Sequence, residues 1–249
     1  CVECNSWIFF ANFLEKKILQ KTKNNKKMLS YVFFQVAKNS YHNKDFFNAR
    51  DYLQKALNLN KYFPPFIELF CKLKMAKTQK KLISMLKSYW EKNPNPNIEN
   101  CINYALADKN KMDKLKITTK ILNKNNTLYY KYLILGKYKY EAKIWGSSKV
   151  DFKRSISFEP SKEAYYYLHK LEDETTKDKK MSDYWKDLYS KYPLNYDWIC
   201  NVCQKKFAEW EIYCDACKGF DTVTDSAVFL DGQNSRLTIN KTNVINGNS

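Results

Sequence analysis

From Tyr31 to Asn60 the apolar positions run at helical spacing, break, and resume. Phe33, Val36 and Ala37 share one helical face, Asn43-Lys44-Asp45 is a polar turn, and Ala49, Leu53 and Ala56 follow at spacings of four and three. The pattern predicts two antiparallel helices in close contact, in which small residues let the backbones approach and large ones fill the groove. The same pattern returns along the chain. Pro160 and Pro193 stand 33 residues apart, and stepping back by 33 from Pro160 reaches Thr127, Pro94 and Lys61. Each lies just after a predicted helix end, where proline breaks no further helical hydrogen bond. In this phase Gly136 takes the close-packing position of its first helix. Leu53, Leu86, Phe152 and Trp185 take the large position of the second, and Ala49, Ser148, Ala56 and Ser155 take small ones. Segments 31–61 and 129–160 fit well and 62–94 and 161–193 moderately, with Phe70 and His169 where a small residue is expected. The stretch from Asn103 to Thr127 fits poorly. Near the start, the apolar run Trp7 to Leu14, interrupted by Asn12, reads as a buried helix segment, far short of the ~20 residues needed to span a bilayer.

This hairpin pattern resembles the tetratricopeptide repeat, whose period is about 34 residues. The competing description is an irregular helical domain in which the prolines merely end helices. The resemblance implies a solenoid with a concave groove for an extended peptide or a partner's helix, and no chemistry of its own. Composition agrees with helices: 5 Gly and 6 Pro in 249 residues are too few for a turn-rich β-sandwich. Hydrophobic residues at 44% exclude wholesale disorder despite a net charge of +17. That charge is nearly all lysine, the arginines being Arg50, Arg154 and Arg236. Two accounts stand for it: an AT-rich genome, whose codons favour Lys, Asn, Ile, Tyr and Phe, or an attraction to anionic headgroups or nucleic acid.

The sharpest local signal is Trp198 to Asp221, which holds Cys200-x-x-Cys203 and, after ten residues, Cys214-x-x-Cys217. Each pair sets two thiols on a tight turn, and the spacer allows a hairpin that brings the turns together. Four thiolates suit tetrahedral Zn²⁺. A segment this short cannot build its own core, and structural zinc can supply folding free energy on the order of 10 kcal/mol. Iron in a rubredoxin-like site uses the same ligands, and two disulfides would require an oxidising compartment. A closed four-thiolate site leaves no open position for substrate, so its expected role is structural. Cys71 and Cys101 lie in apolar helical context and read as core residues, while Cys1-Val2-Glu3-Cys4 has no second pair beside it.

Helical repeats running into a four-cysteine module resemble two bacterial envelope families, HemY and LapB. Similarity to HemY is carried by Asp197-Trp198-Ile199-Cys200, by Trp210 four residues before Cys214, by Phe220-Asp221-Thr222, by WEKNPNPNI at 90–98 with Asn95 where histidine is usual, and by EAYYYLHKLE at 163–172. It covers about residues 30 to 223. The departures are Gln204 and Lys218, where glycine commonly follows each knuckle, and Asp215 where proline is expected after Cys214. Loss of glycine there is expected to strain the turns. The resemblance implies a role in haem and porphyrin metabolism at the bacterial inner membrane, the soluble part facing the cytoplasm and the anchor lying upstream of Cys1. The alternatives are a LapB-like adaptor regulating lipopolysaccharide synthesis and a zinc-ribbon protein that binds nucleic acid.

The expected chain is therefore all-α: a tetratricopeptide-like helical-hairpin solenoid followed by a small zinc-ribbon or rubredoxin-like module. Residues 1–30 are expected to be a truncated N-terminal helix or linker, 31–197 the array, 198–223 the module and 224–249 a disordered tail. The expected partner is a protein in the groove; sparse arginine and the lack of a recognition helix argue against nucleic acid. No enzyme is expected, since no phosphate-binding glycine loop, nucleophile elbow or histidine metal motif is present. The tyrosines at 129–132, 138–140 and 165–167 are expected to line core and groove. The lysine runs 21–27 and 177–180, and the acidic run Glu172-Asp173-Glu174, are expected in solvated connections. His42 and His169 are expected to hold no ligand, with His169 a core or groove residue.

Overall fold

The computed structural model describes residues 7–17, 23–192 and 198–225. Expectations resting on Cys1–Cys4, Pro193, Asp197 and residues 226–249 lie outside the described residues. The chain divides into two compact units with the boundary between Leu194 and Asn195.

Among the described residues of the first unit every regular element is a helix. After α1 (Trp7–Lys17) come five pairs: α2 (Lys23–His42) with α3 (Phe46–Leu59), α4 (Pro64–Lys72) with α5 (Gln79–Lys92), α6 (Ile98–Ala105) with α7 (Lys111–Ile121), α8 (Tyr129–Glu141) with α9 (Trp145–Phe158), and α10 (Lys162–Leu171) with α11 (Lys179–Lys191). Second helices therefore begin at intervals of 33, 32, 34 and 34 residues. The period continues through the stretch that fits the pattern poorly, where α6 and α7 are merely shorter.

Turn chemistry repeats with the helices. Asp45, Thr78, Asn110 and Asp178 cap second helices, each side chain accepting from the backbone N–H three residues on. Lys44, Lys74 and Lys143 close α2, α4 and α8 in the left-handed region, at φ 62°, 50° and 60°. Each sits in a double hydrogen-bonded stop. Around Lys143, for example, Lys143 N–H donates to Tyr140 O and Ile144 N–H to Lys139 O.

One position decides how tightly a pair closes. Ala37, Phe70, Asn103, Gly136 and His169 are successive equivalents on the first helices. At Gly136 a Cβ would lie 2.7 Å from the Phe152 ring, so the backbone there is in direct contact with the opposing aromatic. Ala37, Leu53, Ala56, Phe152 and Ser155 are fully buried, and α2/α3 and α8/α9 pack along their lengths. Ser148 Oγ donates to Gly136 O, fixing the crossing. Where Phe70 and Asn103 occupy the position the helices do not close: α4 packs on α6 and α5 on α7, across repeats. A cleft of about 300 Å³ opens there, lined by Phe70, Cys71, Met75, Leu82 and Tyr104. His169 closes its pair through polar contact instead, Nδ1 lying 2.7 Å from Ser182 Oγ, which in turn donates to Asp173.

Three expectations are corrected. The lysine run leaves the N-terminal connection at Lys23 and forms the first turns of α2, since lysine is a good helix former with no reason to stop there. In the acidic run Asp173 and Glu174 are exposed as expected, but the segment is a π-helical extension of α10, Glu172–Thr176, and its first acid is buried. Glu172 is 1% exposed and paired with Lys149 at 2.5 Å, and Glu174 accepts from Tyr140 Oη at 2.5 Å. The α1 segment buries only Trp7, Ala11 and Leu14, leaving Ile8, Phe9 and Phe13 exposed. The tyrosines behave as expected: Tyr130, Tyr132, Tyr138 and Tyr165 are buried, and Tyr167 stacks on Phe152 at 5.1 Å. Cys71 and Cys101 are buried core residues.

The second unit is a three-stranded antiparallel sheet in the order β2-β1-β3, with β1 (Trp198–Cys200), β2 (Lys206–Phe207) and β3 (Val223–Asp225). Among its described residues the core is small: Trp198, Trp210, Ile212 and Val223.

Candidate metal centre

Two turns of the same construction build the site. Cys200 ends β1, the chain turns through Asn201 and Val202 to Cys203, and Gln204 N–H donates back to Cys200 O at 2.9 Å. Cys200 N–H in turn donates to Lys205 O at 2.9 Å. Fourteen residues later the arrangement repeats: Lys218 N–H donates to Cys214 O at 2.9 Å and Cys214 N–H to Gly219 O at 2.8 Å. Each turn needs a left-handed residue after its second cysteine. Gln204 and Lys218 supply it at φ 60° and 61°, the positions where glycine is absent from the sequence. The conformation is kept and its cost accepted.

The turns meet face to face. All four Sγ atoms of Cys200, Cys203, Cys214 and Cys217 lie within 4.8 Å of one another. Cys200 and Cys217 are 3.6 Å apart, and Cys203 and Cys214 3.5 Å. None is joined in a disulfide, which would need sulfurs about 2.05 Å apart. The edge of a tetrahedron around a metal with bonds of about 2.3 Å is about 3.8 Å, close to these separations. Among the described residues it is the one cluster of three or more such side chains that could hold a metal ion.

The thiols are not electrostatically equivalent. Burial raises Cys200, but the N–H groups of Cys203 and Val202 and the hydroxyl of Thr222 outweigh it and hold it at about 6. At Cys217 the Gly219 N–H lowers the thiol, yet burial and the other three sulfurs push it up to about 12. Cys203 is likewise raised: the Lys205 N–H lowers it, while burial and contact with Cys214 and Cys200 prevail. One sulfur is thus ready to ionise and its neighbours resist adding like charge, a conflict that a bound cation removes.

Residues outside the cysteines hold the turns in place. Thr222 Oγ1 lies 3.3 Å from Cys200 Sγ. Gly219 leaves the room for it, since a Cβ there would sit 2.7 Å from Thr222 Cγ2 and 3.2 Å from Cys217 Sγ. Trp210 Nε1 donates to Val223 O at 3.1 Å, tying the spacer to β3. Asp215 pairs with Lys205 at 2.6 Å, bracing one turn against the other. Of these, Trp210, Asp215 and Thr222 stood out in the sequence only as features of a resemblance. Their contacts with backbone and sulfur carry no signal in spacing.

Neither family models nor curated proteins match this chain. Among solved structures it is similar to MamA residues 41 to the end from Desulfovibrio magneticus RS-1, at 10% identity and TM-score 0.42 over 65% of this chain and 93% of that one. A second MamA crystal structure has 15% identity and TM-score 0.40 over 67% and 96%, and Pseudomonas aeruginosa PilF 11% and 0.32 over 69% and 96%.

Proposed function

We propose that this chain is a non-catalytic protein-interaction scaffold whose C-terminal unit is held together by one structural Zn²⁺ on Cys200, Cys203, Cys214 and Cys217. The observation that carries the metal is the duplicated turn, which brings four unpaired thiols within 4.8 Å in a segment with a very small core. Zinc bound there supplies folding free energy and a fixed geometry. All four ligand positions come from the protein, so the site leaves none for a substrate. The scaffold role is supported by an array of paired helices, the form in which stacked hairpins present an extended binding surface. The metal is tested by elemental analysis of purified protein. About one zinc per chain is expected, falling to none in Cys200→Ser/Cys203→Ser; iron in its place would replace the metal, and no metal would refute the site.

We further propose, on the similarity of residues 198–222 to HemY, that the scaffold serves haem or porphyrin metabolism at the bacterial inner membrane, with this part on the cytoplasmic side. Asn95, where that family usually has histidine, is a local departure from it. It is buried in the segment resembling that family, where its side chain bonds the Tyr89 hydroxyl, Asn93 O and Asn97 N–H. Deletion of the gene should disturb porphyrin pools. Unchanged pools with altered lipopolysaccharide would move the protein to the LapB-like role.

A further inference from the structure

Two adjacent helices, α5 and α7, are rich in lysine and poor in acid. α5 and α7 pack on each other across repeats. Together they carry Lys80, Lys81, Lys87, Lys92, Lys111, Lys114, Lys116 and Lys120 against Glu91 and Asp113 alone. Both carboxylates are engaged elsewhere: Glu91 pairs with Lys124 at 3.2 Å, and Asp113 accepts from Asn110 Nδ2 at 2.8 Å. Lys80, Lys81, Lys116 and Lys120 are exposed and enter no ion pair among the described residues. Met112, Lys116 and Lys120 form one row at i, i+4 and i+8, with Met112 46% exposed beside the lysines. Like charges four residues apart work against the helix, so this row does not serve the stability of α7.

We propose that the α5/α7 face docks on the surface of an anionic lipid bilayer. The choice of partner rests on the chemistry of the face. It has lysines and no arginine, hence no planar fork for a fitted phosphate or carboxylate partner. It has no exposed aromatic ring for stacking on bases, since Tyr89 and Trp90 of α5 are buried. Lysine is depleted at fitted protein interfaces, because a hydrated, flexible ammonium gains little from one fixed contact. A bilayer of anionic headgroups asks for no fixed geometry, and each lysine near it adds to the attraction. Met112 supplies a short apolar side chain at the same level. The inference depends neither on the tetrapyrrole role nor on any anchor outside this chain.

The test is sedimentation of the full chain with phosphatidylcholine vesicles containing about 30% phosphatidylglycerol, compared with phosphatidylcholine alone and with duplex DNA at equal phosphate concentration. Binding is expected to the anionic vesicles only, and to fall steeply between about 0.1 M and 0.5 M salt. The variant Lys80→Glu/Lys87→Glu/Lys116→Glu/Lys120→Glu should bind at least about tenfold more weakly. A charge-matched control, Lys153→Glu/Lys179→Glu/Lys180→Glu/Lys186→Glu, should stay within about threefold of the parent, with both variants keeping the parent's helical circular dichroism. No binding to anionic vesicles overturns the proposal. So does equal loss in the control, which would make the effect one of net charge, or tighter binding to DNA than to vesicles. A helical signal lost in the face variant moves the comparison to Lys80→Gln/Lys87→Gln/Lys116→Gln/Lys120→Gln, where unchanged binding again overturns it. Porphyrin pools report on a different claim, so the two fail separately.

Discussion

Gln204 and Lys218 stand in the left-handed region because the turn geometry demands it, and the one ring contact there, Lys218 Nζ 5.8 Å from the Tyr213 centroid, is a weak return for that conformation. Gln204→Gly and Lys218→Gly should therefore each stabilise the C-terminal unit by about 1 kcal/mol, read as a higher resistance to metal loss in a chelator titration. A lower resistance in both would mean that these side chains contribute something the backbone does not. The reverse holds two residues from Cys217. Gly219→Ala puts a methyl 2.7 Å from Thr222 and 3.2 Å from the Cys217 sulfur, so the turn must open and metal retention should fall. Titration also acts at this scale. Burial raises Glu172, but Lys149 and the Thr176 hydroxyl more than offset it, and its carboxyl is held below the usual range. A depressed carboxyl stabilises the fold above its unfolded value near 4.5 and loses that contribution as pH falls through the folded one. Stability should thus decline below about pH 4.5, and Glu172→Gln should flatten that decline in a denaturation series across pH.

At the scale of elements, what governs the array is how closely each first helix can approach its partner. Gly136 permits contact between the α8 backbone and the Phe152 ring, and Gly136→Val should push α9 away at a cost of about 2–3 kcal/mol, measured by urea denaturation. A change under about 0.5 kcal/mol would show that the ring swings aside freely. The turns are less optimised. Lys143→Gly should relieve a left-handed lysine without touching the core, and raise stability by up to about 1 kcal/mol in the same assay. Much of this architecture was readable in advance. The prolines and the small-large-small pattern carry the period because they mark where helices stop and where they touch. The cysteine spacing fixed the candidate ligands for the same reason, both turns being local. Less readable was the consequence of Phe70 and Asn103. The sequence shows a misfit there, but the exchange of partners between α4, α5, α6 and α7 is a long-range response that no local period encodes. The π-helical turn escaped for a similar reason. Three consecutive acids read as solvent-facing until Lys149 of another helix supplies the charge that lets Glu172 be buried.

The whole molecule divides into two units with cores of different size among their described residues, and that division makes the final prediction. The helical unit buries large side chains throughout, with Trp90, Tyr89, Phe66 and Phe152 all fully enclosed. Burial on this scale is expected to stabilise the unit without a ligand. Among its described residues the C-terminal unit encloses only Trp198, Trp210, Ile212 and Val223 beside Cys200 and Cys214. A core that small falls short of the chain entropy of ordering the segment, and under the proposed zinc site cross-linking by metal supplies the difference. Removing metal with a chelator should then melt one unit and leave the other. Limited proteolysis should begin cutting within residues 198–225 while the stretch 23–192 stays resistant, and the helical circular dichroism signal should be unchanged. Cys214→Ser should reproduce the pattern without chelator. If the helical unit melts together with the metal site, its own core is not sufficient and the two units fold as one. If proteolysis within 198–225 is indifferent to metal, the small core and the knuckle hydrogen bonds suffice, and a structural role for zinc is lost.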